Sequence, residues 1–210
     1  IDDTTQLRKN LGFSVLSAIY HELEIDKFFA NRQRSLQTDF LLNDIFKMLV
    51  FLRILEPGSK KKTFERKDTY FEKFEFSLMD VYRSLTLFQK YKDALLLHLH
   101  EEVRLKYGRD MSNVFYDVTN YYFEIEESDQ LRKKGVSKEH RPNPIVQMGL
   151  LMDREGIPIT YRLFSGNTND CSTLLPVLSE LKESYNIDRM VVVADKGLNT
   201  GENIAYNIIK

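Results

Sequence analysis

The sequence predicts an α/β chain in which an all-helical region, residues 1–110, precedes a mixed β-sheet region, residues 111–210. Two observations carry this prediction. As far as Tyr107, apolar residues recur at three- and four-residue steps, which is the period of amphipathic helices. Beyond Gly108, they come in compact runs rich in β-branched and aromatic residues, which is typical of strands.

Within the first region, the apolar spacing predicts helices around residues 11–23 and 45–55 and over 76–89 and 91–107. The second of these is expected to stop at the Pro-Gly pair that follows it. Asp39 and Ser77 are reasonable N-caps, because their side-chain oxygens can accept from the first free amides of a helix.

In the second region, four apolar runs predict strands, and a helical stretch over residues 172–185 separates the third run from the fourth. The runs are 114–116, 145–152, 157–164 and 190–194. The polar loop 153–156 predicts a hairpin between the second and third strands. The run of three valines at 191–193 predicts a strand that is buried on both faces, as in the parallel part of a mixed sheet.

Composition excludes several classes of protein. With 42% apolar and 29% charged residues the chain is neither disordered nor fibrous, and the single cysteine, Cys171, excludes an internal disulfide. No apolar run approaches the roughly 20 residues of a membrane span, and no signal-peptide pattern opens the chain. The net charge of −1 excludes a uniformly basic nucleic-acid coat.

Two local clusters are basic despite that balance. Lys60, Lys61 and Lys62 form the first, together with two further cations at residues 66 and 67. The second comprises Arg132, Lys133, Lys134, Lys138 and Arg141. Each is equally typical of a solvated loop and of a surface that contacts DNA phosphates.

Two aspartates follow predicted strands. Asp117 comes directly after the first strand and Asp195 directly after the fourth. If those strands are neighbours, both carboxylates emerge at one edge of the sheet, where a cation such as Mg²⁺ would relieve their repulsion. An aspartate at a strand end is also common as a turn or cap residue, so the spacing alone leaves both interpretations open.

Other residues are weaker candidates for a catalytic or binding site. His98 and His100 lie on different faces of one helix, with no further ligand nearby to complete a zinc site. Cys171 has no histidine close in sequence and is expected to pack at the start of its helix. The loop 166–170 lacks the residues of a phosphate-binding loop, and the aromatic residues 121–123 are typical of sheet packing, although exposed aromatics could stack on bases.

Five short motifs, taken in order, resemble the catalytic domain of bacterial insertion-sequence DDE transposases. They are Tyr-Asp-Val-Thr-Asn-Tyr-Tyr-Phe-Glu at 116–124, Gly-Val-Ser-Lys-Glu-His-Arg-Pro-Asn at 135–143, Gly-Ile-Pro-Ile at 156–159, Gly-Asn-Thr-Asn-Asp at 166–170 and Ala-Asp-Lys-Gly-Leu at 194–198. The segment Arg-Ile-Leu-Glu-Pro-Gly-Ser-Lys at 53–60 is similar to one found upstream in a branch of that group.

The resemblance implies a partial ribonuclease H-like mixed β-sheet domain over residues 111–210, after a helical region that would bind DNA or dimerise. It implies that Asp117 and Asp195 are the first two of three acidic residues, which together would bind two Mg²⁺ or Mn²⁺ ions and cut and join DNA strands. The third acid, a glutamate on a later helix, is expected beyond Lys210, so this chain alone is expected to be inactive.

The same resemblance implies double-stranded DNA, comprising transposon ends and target, as partner. It also implies a homo-oligomer with no membrane association, in the cytoplasm of a bacterium near the nucleoid. Two alternatives stay open at this point. One is a nuclease of the same fold that hydrolyses without joining, and the other is an inactive, transposase-derived DNA-binding protein.

Overall fold

A computed structural model describes residues 9–135, 142–185, 191–195 and 198 of the chain. It divides into two compact units, Ile1–Glu102 and Val103–Lys210. In chain order the helices are α1 (Gly12–Glu22), α2 (Ile25–Gln33), α3 (Leu42–Leu55), α4 (Lys60–Glu65), α5 (Leu78–Tyr107) and α6 (Leu174–Tyr185), with short 3₁₀ turns at Lys67–Thr69 and Asp170–Ser172. Across these described ranges, every helix is too short or too polar to span a membrane.

Aromatic side chains fill the core of the first unit. Phe13 and Tyr20 of α1 both meet Phe51 of α3 edge to face, at ring-centroid separations of 5.0 and 5.5 Å. Such pairs add to the stabilisation that burial of the rings already supplies. Lys47 is buried beside them, and its ammonium bonds both carboxylate oxygens of Glu72 at 3.0 Å.

Helix boundaries differ from the prediction at two places. The stretches 76–89 and 91–107 form one continuous helix, α5, because no Pro or Gly interrupts the apolar spacing between them. Asp39 does not cap α3, which begins at Leu42 with Leu41 in the N-cap position. Ser77 does cap α5, since its hydroxyl accepts from the Asp80 amide at 3.2 Å while the Asp80 carboxylate accepts from the Ser77 amide at 2.9 Å.

A four-stranded mixed sheet forms the second unit, as predicted. Its strands are β1 (Asn113–Tyr122), β2 (Ile145–Met152), β3 (Pro158–Ser165) and β4 (Val191–Ala194), in the spatial order β3-β2-β1-β4. The first three strands are antiparallel, and β4 lies parallel to β1 after the crossover through α6. The predicted hairpin joins β2 to β3.

One face of this sheet is packed and the other is open. Val114 and Tyr116 of β1 face the apolar side of α6 and are 0% and 2% exposed. On the opposite face, Val191 and Val193 of β4 are 60% and 45% exposed. The prediction that the three-valine run is buried on both faces is therefore wrong, because α6 covers only the face that holds Val192.

A buried ion pair fixes the hairpin to the segment that precedes the sheet. Arg109 Nε lies 3.0 Å from Asp153 Oδ2, and both side chains are at most 2% exposed. The second carboxylate oxygen of Asp153 accepts from the amides of Glu155 and Ile157 at 3.0 and 2.9 Å. Burial lowers the pKa of the Arg109 guanidinium, and the Asp153 charge opposes that shift.

Candidate active site

Asp117 and Asp195 are brought together by the parallel pairing of β1 with β4. The register runs from Asn113 opposite Val191 to Tyr116 opposite Ala194. Asp117 is the next residue of β1, and Asp195 is the residue that follows β4. The prediction that the first strand ends before Asp117 is wrong, because its pairing with β2 extends β1 to Tyr122. Neighbouring strands lie about 4.8 Å apart, so their Cα atoms are close to that separation. Residues opposite one another in a parallel pair share a face, and both aspartates are exposed on the open face of the sheet.

Among the described residues, three side chains flank the two carboxylates on this face. Phe115 of β1, 37% exposed, and Val193 of β4 lie two positions before Asp117 and Asp195 respectively. Thr119, two positions after Asp117, directs its hydroxyl to Asp117 Oδ2 at 3.4 Å. The carboxylates therefore stand between an apolar patch and a hydroxyl that can restrict the rotation of one of them.

The donor set suits a hard divalent cation. Carboxylate oxygens are the ligands that Mg²⁺ takes in proteins, and the exposure of both aspartates leaves room for the waters and phosphate oxygens that complete its shell. Of the residues the structure describes, no three His, Cys, Asp or Glu side chains form a group that could hold a metal. The described residues therefore offer a pair of carboxylates, Asp117 and Asp195.

On the opposite, buried face of the sheet, two side-chain hydrogen bonds were not predicted from the sequence. Tyr116 donates its hydroxyl to Thr173 Oγ1 at 2.8 Å, and Gln147 of β2 donates to Asp170 Oδ1 at 2.7 Å. Burial raises the pKa of Tyr116 to about 12, and the Asp170 and Asp117 charges act in the same direction. In the sequence, Gln147 interrupts the otherwise apolar run 145–152, and a polar residue at that place could have indicated a buried polar contact.

The loop that holds the second basic cluster is tied to the sheet. Lys133 forms an antiparallel bridge with Ile145, and Gly166 donates its amide to Leu131 at 3.1 Å. A Cβ atom on Gly135 or on Gly166 would collide with backbone atoms of the neighbouring segment, so both positions require glycine at this close approach. These glycines belong to two of the motifs that carried the family resemblance.

The cations of that loop differ in their availability. Arg132 binds Asp129 with its Nε at 2.6 Å and lies 5.6 Å from the Phe123 ring, so it is largely engaged within the loop. Lys134 is exposed and Lys133 is half-buried. Lys138 and Arg141 lie outside the described residues.

The first basic cluster occupies a short helix of the other unit. Lys60, Lys61 and Lys62 begin α4, which Ser59 caps by accepting from the Lys62 amide at 3.2 Å, and all three are exposed. The next two cations are engaged elsewhere, Arg66 with Glu56 and Lys67 with the Phe74 carbonyl. Of the three exposed lysines, Lys61 approaches Glu65 at 4.0 Å, whereas Lys60 and Lys62 form no ion pair with a described carboxylate.

The remaining candidates hold structural positions. His98 Nε2 lies 2.9 Å from the Leu23 carbonyl oxygen, and its ring packs on Phe28. His100 is buried, and Cys171 is half-buried at the short turn before α6.

Comparisons with known proteins gave a structural likeness. No family model matches the chain, and no curated protein matches it. Among solved structures, the chain is similar to a Mos1 transposase paired-end complex with left transposon end, at 13% identity and a TM-score of 0.32. The match covers 78% of this chain and 56% of that one, so the chain spans little more than half the length of its structural neighbour. A likeness of this degree does not assign the chain to a family.

Proposed function

We propose that the chain is part of a DNA transposase, in which Asp117 and Asp195 hold the divalent ions that serve phosphodiester cleavage and strand transfer. The observation that carries this proposal is the register of β1 and β4, which puts two exposed carboxylates side by side although 78 positions separate them in sequence. The choice of reaction rests on the sequence motifs of the chain, which resemble those of insertion-sequence DDE transposases.

In this proposal, bound Mg²⁺ or Mn²⁺ would activate the attacking oxygen and stabilise the leaving one. The chain's own part is to fix the positions of Asp117 and Asp195 on adjacent strands, with Thr119 restricting one carboxylate. Water would attack the phosphodiester for cleavage and a DNA 3′-hydroxyl for joining, and no residue of the chain forms a covalent intermediate.

DNA phosphates would be contacted by Lys133 and Lys134. Lys133 pairs with Ile145 opposite Tyr122, five residues beyond Asp117 on the same strand. At about 3.3 Å per residue, the loop lies about 16 Å from Asp117 along β1. That distance corresponds to about five nucleotides of one strand of B-DNA, so a single duplex can reach both places.

Metal binding is the sharpest test on this chain, because it does not require the third acid. We expect Mn²⁺ titration, followed by calorimetry or electron paramagnetic resonance, to show binding that Asp117→Asn and Asp195→Asn each abolish. Asp93→Asn is the matched control, since Asp93 is an exposed aspartate at 77% exposure. Unchanged Mn²⁺ binding in both site variants would contradict the proposal.

DNA contact is tested separately through its salt dependence. Replacing Lys133 and Lys134 by Gln should flatten the slope of log affinity against log salt by about 1.8, which is about 0.9 for each lost phosphate contact. The double control Lys73→Gln with Lys90→Gln removes the same charge at exposed positions. An equal slope in the loop variant and the wild type would remove this loop from the interface.

Strand-transfer assays on a chain that continues to the expected third acid separate the alternatives. A transposase cuts and joins, whereas a nuclease of the same fold cuts and never joins. An inactive DNA-binding descendant would bind duplex with no effect of Mn²⁺ or of either aspartate substitution.

A further inference from the structure

The first unit contains an apolar groove that the proposed function does not use. It has a volume of about 310 Å³ and is bounded by α3, α4 and α5. Its apolar lining is one face of α3 together with one ring of α5, comprising Phe46, Leu49, Val50, Ile54 and Phe88. This size lies at the lower end of the range for small-molecule sites, which are mostly apolar with a few placed polar groups.

Two cations line this groove beside its apolar residues. Arg53 comes from the last turn of α3 and Lys60 from the first turn of α4, and both are exposed. Neither forms an ion pair with a carboxylate among the residues the structure describes, in contrast to Arg66, which binds Glu56, and Lys61, which approaches Glu65 at 4.0 Å. The groove therefore combines an apolar floor with two cations that pair with no described carboxylate.

From this combination we infer that the groove binds a small amphiphilic organic anion, with its apolar body on the α3 face and its acidic head between Arg53 and Lys60. A DNA phosphate would satisfy the cations but would leave the apolar lining in water. A neutral hydrocarbon would cover the lining but would gain nothing from the charges. Only a ligand that carries both features matches both parts of the groove.

Decanoate is the probe, titrated into the whole chain and followed by calorimetry and by amide chemical shifts. We expect saturable binding with a Kd of about 1 mM or tighter, with shifts confined to the three helices around the groove. Decanol lacks the charge, acetate lacks the apolar chain and decyltrimethylammonium reverses the charge, so each should bind at least about fivefold more weakly.

Substitutions locate the site. Arg53→Gln and Lys60→Gln should each weaken decanoate binding about fivefold, which is the effect of one exposed charge, while Lys61→Gln should leave it unchanged. Ile54→Glu places a carboxylate beside the proposed head group and should abolish binding. Its matched control is Met79→Glu, because Ile54 and Met79 are 59% and 61% exposed and neither substitution should disturb folding.

Any of three results would overturn the inference. The first is the absence of saturable decanoate binding by the folded wild-type chain. The second is decanoate binding that Ile54→Glu and the two cation variants leave unchanged. The third is equal binding of decanol, because it would show that the cations take no part.

Discussion

The ion pair between Arg109 and Asp153 makes a strong prediction for stability. Asp153→Ala leaves the Arg109 guanidinium buried, with the nearest carboxylate removed, and breaking a buried pair in this way costs about 3–5 kcal/mol. The two amides that Asp153 accepts from belong to an exposed turn, where water can replace the lost acceptor. We therefore expect the lower end of that range, about 3 kcal/mol.

Urea unfolding measures this change. With a slope of about 2 kcal/mol per molar urea, the midpoint should fall by about 1.5 M. Far-ultraviolet circular dichroism and tyrosine emission are suitable signals because the chain has no tryptophan. Hydrogen exchange of the β2–β3 amides would show whether the loss is local to the hairpin.

A double-mutant cycle supplies the control, with the single variants Arg109→Met and Asp153→Leu and the variant that carries both. The double variant replaces both charges by apolar groups and should recover most of the stability, giving a coupling of about 2 kcal/mol. Asp153→Asn keeps an oxygen acceptor for the amides of the turn but loses the charge. It therefore isolates the electrostatic part of the change in the free energy of unfolding. A loss below about 1 kcal/mol for Asp153→Ala, or a coupling near zero, would refute the reasoning.

Three further predictions concern other parts of the chain. Gly166→Ala should lower the free energy of unfolding of the sheet unit by about 2 kcal/mol, because the added Cβ would meet backbone atoms. Gly58→Ala is the control: its Cβ would meet only the movable Lys62 side chain, so the free energy of unfolding in urea should change by less than about 0.5 kcal/mol. The Arg132 hydrogen bond lowers the pKa of Asp129 to about 2, so the turn's stabilisation is complete above the unfolded value near 3.9 and is lost as pH falls through about 2. A carboxyl NMR titration checks this, and Arg132→Gln should move the midpoint towards 3.9; an unchanged midpoint would contradict the assignment. Ser77→Ala should cost about 1 kcal/mol in thermal or urea unfolding, through loss of the α5 cap, and no measurable change would show that the cap contributes nothing.

Much of the fold could be predicted because its signals are local. The Pro-Gly pair after Leu55 stops α3, and the polar loop 153–156 forms the hairpin. The burial of the valine run was mispredicted because the sequence of a strand does not say how many of its faces have a neighbour. Val191 and Val193 look like core residues, but α6 covers only one side of the sheet.

The candidate site was predictable in part for a different reason. Asp195 follows β4 as predicted, but Asp117 lies within β1, because that strand continues to Tyr122. The adjacency of the two aspartates depends on which strands pair and in what register. The bond from Gln147 to Asp170 and the approach of Gly135 to Gly166 depend on contacts between distant segments, so residue spacing did not reveal them. Arg132 is bound by Asp129, and this contact limits which cations of the basic loop can contact DNA. Residue spacing did not reveal it either.

The parallel pairing of β4 has a consequence for the order of folding. β1, β2 and β3 pair with strands that are neighbours in sequence, whereas β4 pairs with β1. Once the β1–β3 meander has formed, about 25 residues between β3 and β4 remain to be closed, at an entropic cost of about 3 kcal/mol, to add a pairing only four residues long. Contacts between distant segments form late. We therefore expect Asp117 to be in place with the early meander, and the two-carboxylate arrangement to exist only once β4 has docked.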